Sequence, residues 1–171
     1  MPGHKTISFT LDAHSIGNAI AELQAYLADF TDKVNRLRKM VAERITWTAE
    51  QGFQTAMVSD VIDGDEPVND VTVTVTHDET VSVVIASGTQ AVFIEFGAGV
   101  WHNGPAGSSP HPWGAEKGYT IGGYGKGKGK YDVWRYEGGA TFGTPAAMPM
   151  YRGWEEARQA LDEMVREVFG A

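Results

Sequence analysis

Several groups of residues in this chain have types and spacings that chemistry can use. His102 and His111, taken with Glu95 or Glu116, offer imidazole and carboxylate to a metal or a hydrolytic mechanism. The His-x8-His spacing matches no zinc motif with a known ligand geometry. There is no His-Glu-x-x-His run, and no serine stands in a Gly-x-Ser-x-Gly elbow. Gly122-x4-Gly127-Lys128 has the glycine and lysine spacing of a phosphate loop. Gly129 stands where the magnesium-binding hydroxyl belongs, however, and no apolar strand precedes the run. Asp63-x-Asp65 opens like a calcium loop but lacks the sixth-position glycine and the twelfth-position glutamate. Asp132 and Glu137 pair as acids only as any two carboxylates can. These readings leave no catalytic residue, no metal site and no cofactor. Lys126, Lys128 and Lys130 of the GKGKGK run remain as a cationic tip for an anion, DNA or a docking partner.

Glu95 belongs to the stretch that organises the chain, Gln90–Gly99. Thr89 is placed to cap a short helical turn over residues 90–97. Gly97 is placed to end it in the left-handed conformation. Ala91, Val92, Phe93, Ile94 and Phe96 fence the single carboxylate. A carboxylate so enclosed needs partners. Glu95 is therefore expected to pair with backbone N–H groups or a basic residue, with Phe93 and Phe96 anchoring the turn to the core.

The elements on either side follow from periodicity. Apolar residues fall at Ile16, Ile20, Leu23, Leu27, Phe30, Val34, Leu37 and Val41, alternating four and three. That is a heptad seam, and it predicts a helix over residues 15–57, capped by Asp12 or Ser15, with Thr31-Asp32 as a candidate kink. Asp60–Asp70 reads as a solvated acidic loop. Val71–Thr76 alternates apolar and polar residues, and with Val81, Val83 and Ile85 on the return strand it predicts a hairpin over residues 71–86.

Residues 98–143 differ in kind. Gly97–Gly143 holds 14 of the 21 glycines and three of the five tryptophans. A glycine-rich loop this long is either functional or disordered, and its aromatic content argues against plain disorder. It reads as an arm that orders on a neighbour, with Tyr119–Tyr124 and Tyr131–Glu137 pairing as a second hairpin. A C-terminal helix follows over residues 151–169, with Trp154, Ala157, Leu161, Met164, Val165 and Val168 on one face. The fold class is α+β: a long N-terminal helix and a C-terminal helix on a small antiparallel sheet, in a single domain over residues 1–171.

Composition narrows the function. A net charge of -8 disfavours a free-standing nucleic-acid binder. The chain contains no cysteine, which excludes disulfides and cysteine-ligated zinc. No apolar run reaches the length of a membrane helix. Met1–Thr10 lacks the apolar core of a signal peptide, so the protein is expected in a cytoplasm.

Two short stretches carry a resemblance. Phe93-Ile94-Glu95-Phe96-Gly97 resembles the Tyr-Val-Glu-Phe-Gly-Thr signature of the neck, or tail-completion, proteins of long-tailed phages. Ala147-Met148-Pro149-Met150-Tyr151-Arg152 is similar to the Pro-Phe entry to that family's last helix. Tyr124-Gly125-Lys126-Gly127 with Trp134 and Tyr136 resembles its long-loop branch. Asp60–Asp70 departs from the family's Pro-x-x-Thr-Gly stretch, and Gly153-Trp154 from its Pro-Ala. The resemblance implies no enzyme. It implies a structural virion protein that forms a homo-oligomeric ring, six subunits by analogy, between the head connector or adaptor and the tail tube or terminator. DNA would pass through its channel without specific binding, no membrane would be involved, and the protein would reside in the virion after assembly in the host cytoplasm. Subunit contacts would fall on Phe93, Glu95, Phe96, Gly97, Trp101, Trp113, Tyr124, Trp134, Tyr136, Met148, Pro149, Met150 and Tyr151. The rival readings are a tail terminator or head adaptor of the same fold, a nucleic-acid-binding packaging accessory using the GKGKGK tip, and a hydrolase using His102 or His111.

Overall fold

The computed structural model describes residues 6–7, 10, 12–65, 67–99, 104–121, 133–136 and 139–170, with backbone alone at 60, 63 and 134–136. The heptad-spaced run forms one unbroken helix, α1 (Ala13–Thr55). It is about 64 Å long at 1.5 Å per residue. Asp12 caps it, accepting from the Ser15 N–H at 2.9 Å. No kink occurs at Thr31-Asp32, where Thr31 Oγ1 donates back to the Leu27 carbonyl at 2.8 Å within the same helix. The acidic stretch expected to be all loop contains a strand, β1 (Asp60–Asp63). Its partner lies some eighty residues later in the chain, beyond the reach of any local pattern.

Strands β2 (Thr72–His77) and β3 (Ser82–Ser87) form the expected hairpin. The face of the return strand differs from expectation. His77 pairs with Ser82, so odd residues of β2 lie opposite even residues of β3. Val73 and Val75 therefore share the inner face with Ala86 and Val84. Val83 and Ile85 join the threonines on the exposed face.

Helix α2 (Ala91–Phe96) is the expected short turn, with two corrections at its ends. Thr89 does not cap it. Asp70 instead fixes the turn that leads into it, accepting from the Thr89 N–H at 2.7 Å, the Thr89 hydroxyl at 2.8 Å and the Gln90 N–H at 3.2 Å. Gly97 is extended with positive φ (φ 79, ψ 158) rather than left-handed helical, and a Cβ there would lie 3.1 Å from the Ala146 nitrogen.

Strand β4 (Trp134–Tyr136) pairs with β5 (Gly139–Gly143), while most of the Tyr119–Tyr124 strand expected as its partner lies outside the described residues. β5 also pairs with β1, which gives a three-stranded sheet of order β1-β5-β4 beside the β2-β3 hairpin. The expected C-terminal helix starts earlier than predicted and is two helices, α3 (Pro149–Gln159) and α4 (Leu161–Phe169), jointed at Ala160. Neither glycine nor proline marks that joint, so the sequence carries no breaker there.

The core centres on Ala49, Phe53, Val73 and Ile94, with Val84, Ala86, Ala147 and Met150 packed around them. The C-terminal half of α1 thus packs against both the hairpin and α3. α1 and α3 approach closely through small residues. Ala42, Ala49 and Ala157 are buried, and a Cβ at Gly153 would stand 2.7 Å from the Ile45 carbonyl oxygen. The absence of a side chain at Gly153 thus has a steric cause.

Two predictions follow from these contacts. Gly153→Ala would stabilise an exposed helix, but here the backbone of α1 occupies the space. It should destabilise by about 1–3 kcal/mol, the range for overpacking, as read by urea unfolding. The second concerns acid. Hydrogen bonds from the Thr89 N–H, the Thr89 hydroxyl and the Gln90 N–H hold the Asp70 carboxyl below the usual carboxylate range. A carboxyl depressed in the folded state contributes stability above the unfolded value, near pH 4, and loses it as the pH falls through the folded one. Asp70→Asn should therefore lower stability at neutral pH and flatten its decline below about pH 4, measured as unfolding midpoints across an acid series.

Candidate functional site

Helix α3 begins with a problem that its own sequence does not solve. Proline suits the first helical position, and Pro149 occupies it, but Met148 in the capping position has no side-chain oxygen. The N–H groups of Met150 and Tyr151 would then lack acceptors. Glu95 supplies them from α2. Its Oε2 accepts from the Met150 N–H at 2.9 Å, and its Oε1 from the Tyr151 N–H at 3.0 Å. The negative charge also sits at the positive end of the helix dipole.

A third donor comes from the loop. His111 Nε2 lies 2.9 Å from Glu95 Oε1, and His111 Nδ1 accepts the Trp113 N–H at 3.0 Å. The acceptor role at Nδ1 places the proton on Nε2, in a neutral ring that donates to Glu95. Glu95 is 7 % exposed and His111 2 %, so neither can exchange these partners for bulk water without local opening. The expectation that Glu95 pairs with backbone N–H groups holds, and the histidine is an addition to it.

Met148 completes the junction. Its backbone is left-handed (φ 56, ψ 46), the only non-glycine residue with positive φ among those described. Its C=O accepts the Arg152 N–H at 2.9 Å, while Ala147 N–H donates to the Ile94 carbonyl at 2.9 Å. A methionine held in this region is strained by roughly 1–2 kcal/mol, which the surrounding bonds must offset.

Around the carboxylate runs a chain of rings. Phe96 stacks on Tyr119 at 4.1 Å and meets His111 at 4.5 Å. Trp113 packs edge-on to Tyr151 at 4.9 Å and to Trp154 at 5.0 Å, and the Arg158 guanidinium lies 5.5 Å from the Trp154 ring centre. The first half of the glycine-rich excursion, residues 104–121, is thus folded onto its own chain rather than projecting as an arm. Phe96 anchors this loop, and Ile94, fully buried, anchors the turn to the core.

Of the residues with suspected roles, the structure unites Phe93, Glu95, Phe96, Gly97, Trp113, Met148, Pro149, Met150 and Tyr151 at this one junction. His102, Trp101, Tyr124, Lys126, Lys128, Lys130, Asp132 and Glu137 lie outside the described residues. Trp134 and Tyr136 are placed in β4 by backbone alone. Among the described residues no cluster of histidine and carboxylate side chains could hold a metal ion. None of their helices is long and apolar enough to cross a membrane. In the sequence His111 and Glu95 group only as candidates for a metal or a hydrolase, and their structural hydrogen bond across sixteen residues of irregular loop leaves no periodic sign.

An open groove of 530 Å³ lies beside the junction, between β3, α2 and the loop, with Glu95, His111, Lys117 and Tyr119 on its walls. A second of 530 Å³ runs on past Trp113 and Met150, along α1 and α3. No family model, curated protein or solved structure matches the chain.

Removing the carboxylate tests the junction. Glu95→Ala strands three buried donors and should cost about 3–5 kcal/mol. Glu95→Gln keeps one acceptor oxygen and should cost roughly half as much. Amide hydrogen exchange at Met150 and Tyr151 should accelerate in both variants before global unfolding. Unchanged protection at those two amides would refute the capping role.

Proposed function

We propose that this chain is a structural subunit of the head–tail junction of a long-tailed phage, a neck or tail-completion protein that forms an oligomeric ring joining the head connector to the tail tube. The observation that carries this reading is the Glu95 junction. The two stretches on which the resemblance stands, Phe93–Gly97 and Ala147–Arg152, are one structural unit, joined by a carboxylate that reaches 55 residues along the chain to Met150. The α+β order of long helix, hairpin, Glu-Phe-Gly turn and terminal helices supports it as well.

Charge supports the role. A ring that surrounds moving DNA functions best when it repels the duplex, and the chain carries -8. A hydrolytic role for His111 has no such support. Both ring nitrogens are engaged in buried hydrogen bonds that hold the loop and the helix. A tail terminator or head adaptor would use the same fold features, and its position in the particle distinguishes it.

The test is genetic and visual. Disrupting the gene in the phage that encodes it should leave DNA-filled heads and separate tails, rejoined when the protein is supplied. Antibody labelling of intact particles should mark the neck. Infectious, fully joined particles that lack the protein would overturn the reading. In the same assay Glu95→Ala should reduce joining, in step with its loss of stability.

A further inference from the structure

The β2-β3 hairpin has an open edge, and its turn fixes which backbone groups that edge presents. The Asp78 N–H donates to the Val81 carbonyl at 3.0 Å, which marks these two as a hydrogen-bonded pair. Bonded and non-bonded pairs alternate along an antiparallel ladder. The register runs unbroken from His77↔Ser82 to Thr72↔Ser87. Val83, Ile85 and Ser87 therefore bond back to β2, while the N–H and C=O groups of Ser82, Val84 and Ala86 point away from it. Among the described residues no strand lies on that side of β3, and no other backbone group bonds to those three residues.

The two grooves of 530 Å³ meet along this edge. Val84 and Ala86 stand in the wall of one, Ser82 and Val84 in the wall of the other, and neither includes a residue of β2. Trp113 and Met150 face β3 across both. The inward side chains of a third strand would lie in this apolar trough while its backbone met the unpaired groups of β3. An open edge beside an apolar trough is what an extended segment adds to. The outer edge of a second copy's β2 does not suit it, because the inward side chain there, Val73, is already buried in its own core.

The chain carries a segment of the right kind outside its own sheets. Thr6-Ile7-Ser8-Phe9-Thr10-Leu11 alternates polar and apolar residues, the period of a strand. Thr6, Ile7 and Thr10 belong to no strand, and Ile7 rests in a shallow cleft with Ile16, Ile20 and Leu23 of α1. The segment cannot reach β3 of its own chain. From the Asp12 cap to Val34, where the groove begins on α1, is about 33 Å of helix, whereas the chain from Asp12 back to Ile7 spans at most about 17 Å. Residues 13–29 also extend beyond the Phe30–Phe169 contact and carry the segment clear of its own body by about 25 Å. We propose that Lys5–Phe9 of a second copy adds to the free edge of β3 as a third strand, with Ile7 and Phe9 in the groove. Thr10, whose N–H donates to Ser15 Oγ at 2.8 Å, stays at the donor's helix cap. Each copy gives one strand and takes one, so the exchange runs head to tail, and it does not rest on the neck role.

The test is amide hydrogen exchange in the full chain, read residue by residue by NMR. A nitrogen-15-labelled chain with Ile7→Asp and Phe9→Asp cannot donate its segment and serves as the acceptor. An excess of unlabelled, unaltered chain, or of a synthetic peptide of residues 4–12, should slow exchange at its Ser82, Val84 and Ala86 amides about tenfold or more. Val83 and Ile85, already bonded to β2, should not change. The peptide carrying Ile7→Asp and Phe9→Asp should have no effect. Val84→Pro removes an N–H that β2 does not use, and it should abolish the slowing at Ser82 and Ala86 while Val83 and Ile85 stay protected. If that variant does not fold, the alternating pattern in the acceptor decides alone. Unchanged exchange at the three amides with peptide and chain at millimolar concentration would overturn the proposal. So would equal slowing at residues 82–87 without alternation, which marks a covered groove and no added strand. Slowing in the labelled, unaltered chain that persists on dilution would place the donor in the same chain and overturn exchange between copies.

Discussion

The carboxylate of Glu95 is the constraint on which the rest of this structure depends. A helix that starts Met-Pro cannot cap itself, because proline has no N–H to give and methionine no oxygen to offer. The two N–H groups behind them need an acceptor, and the one that meets them belongs to a different element. Once Glu95 is committed there, α2 and α3 are fixed relative to each other, and so is the loop that brings His111. The left-handed backbone at Met148 is what aims the first turn of α3 at the carboxylate. Charge-assisted bonds, stronger than neutral ones, make that strained entry tolerable.

Much of the fold was legible where a single period runs unbroken. The heptad of α1 and the alternation of Val71–Thr76 fix type and extent from local residues alone, and the enclosure of Glu95 by apolar neighbours signals a paired carboxylate. Legibility failed where the deciding partner lies far along the chain. Asp60–Asp63 is acidic and turn-flanked, yet it becomes a strand because β5 is there to pair with it. The inner face of β3 was misassigned because the loop after His77 sets the parity, and composition carries no signal for that. The joint at Ala160 has no sequence mark. The role of Asp70 was hidden for the same reason as that of His111, since a side chain reaching across a loop leaves no periodic trace.

The glycine-rich excursion shows how composition can mislead in a different way. Aromatic and glycine content together suggested an arm seeking a neighbour. For residues 104–121 the rings find their partners at home, on Phe96, Tyr151 and Trp154. The glycines there permit the turns that carry Trp113 and Tyr119 back to the body. The exposed apolar residues lie instead on α1, the most regular element in the chain, where Ile20, Leu23 and Leu27 are about half exposed.

The close crossing of α1 and α3 has a consequence in time. Gly153 of α3 stands against the backbone of Ile45, far earlier in the chain. Contacts so distant in sequence are slow to form, since the closure entropy must be met before any of them can contribute. Until α3 is made and docked, α1 is an amphipathic rod without that cover. A chain whose α3 has yet to dock is therefore association-prone, and α3 acts as the latch that ends that exposure.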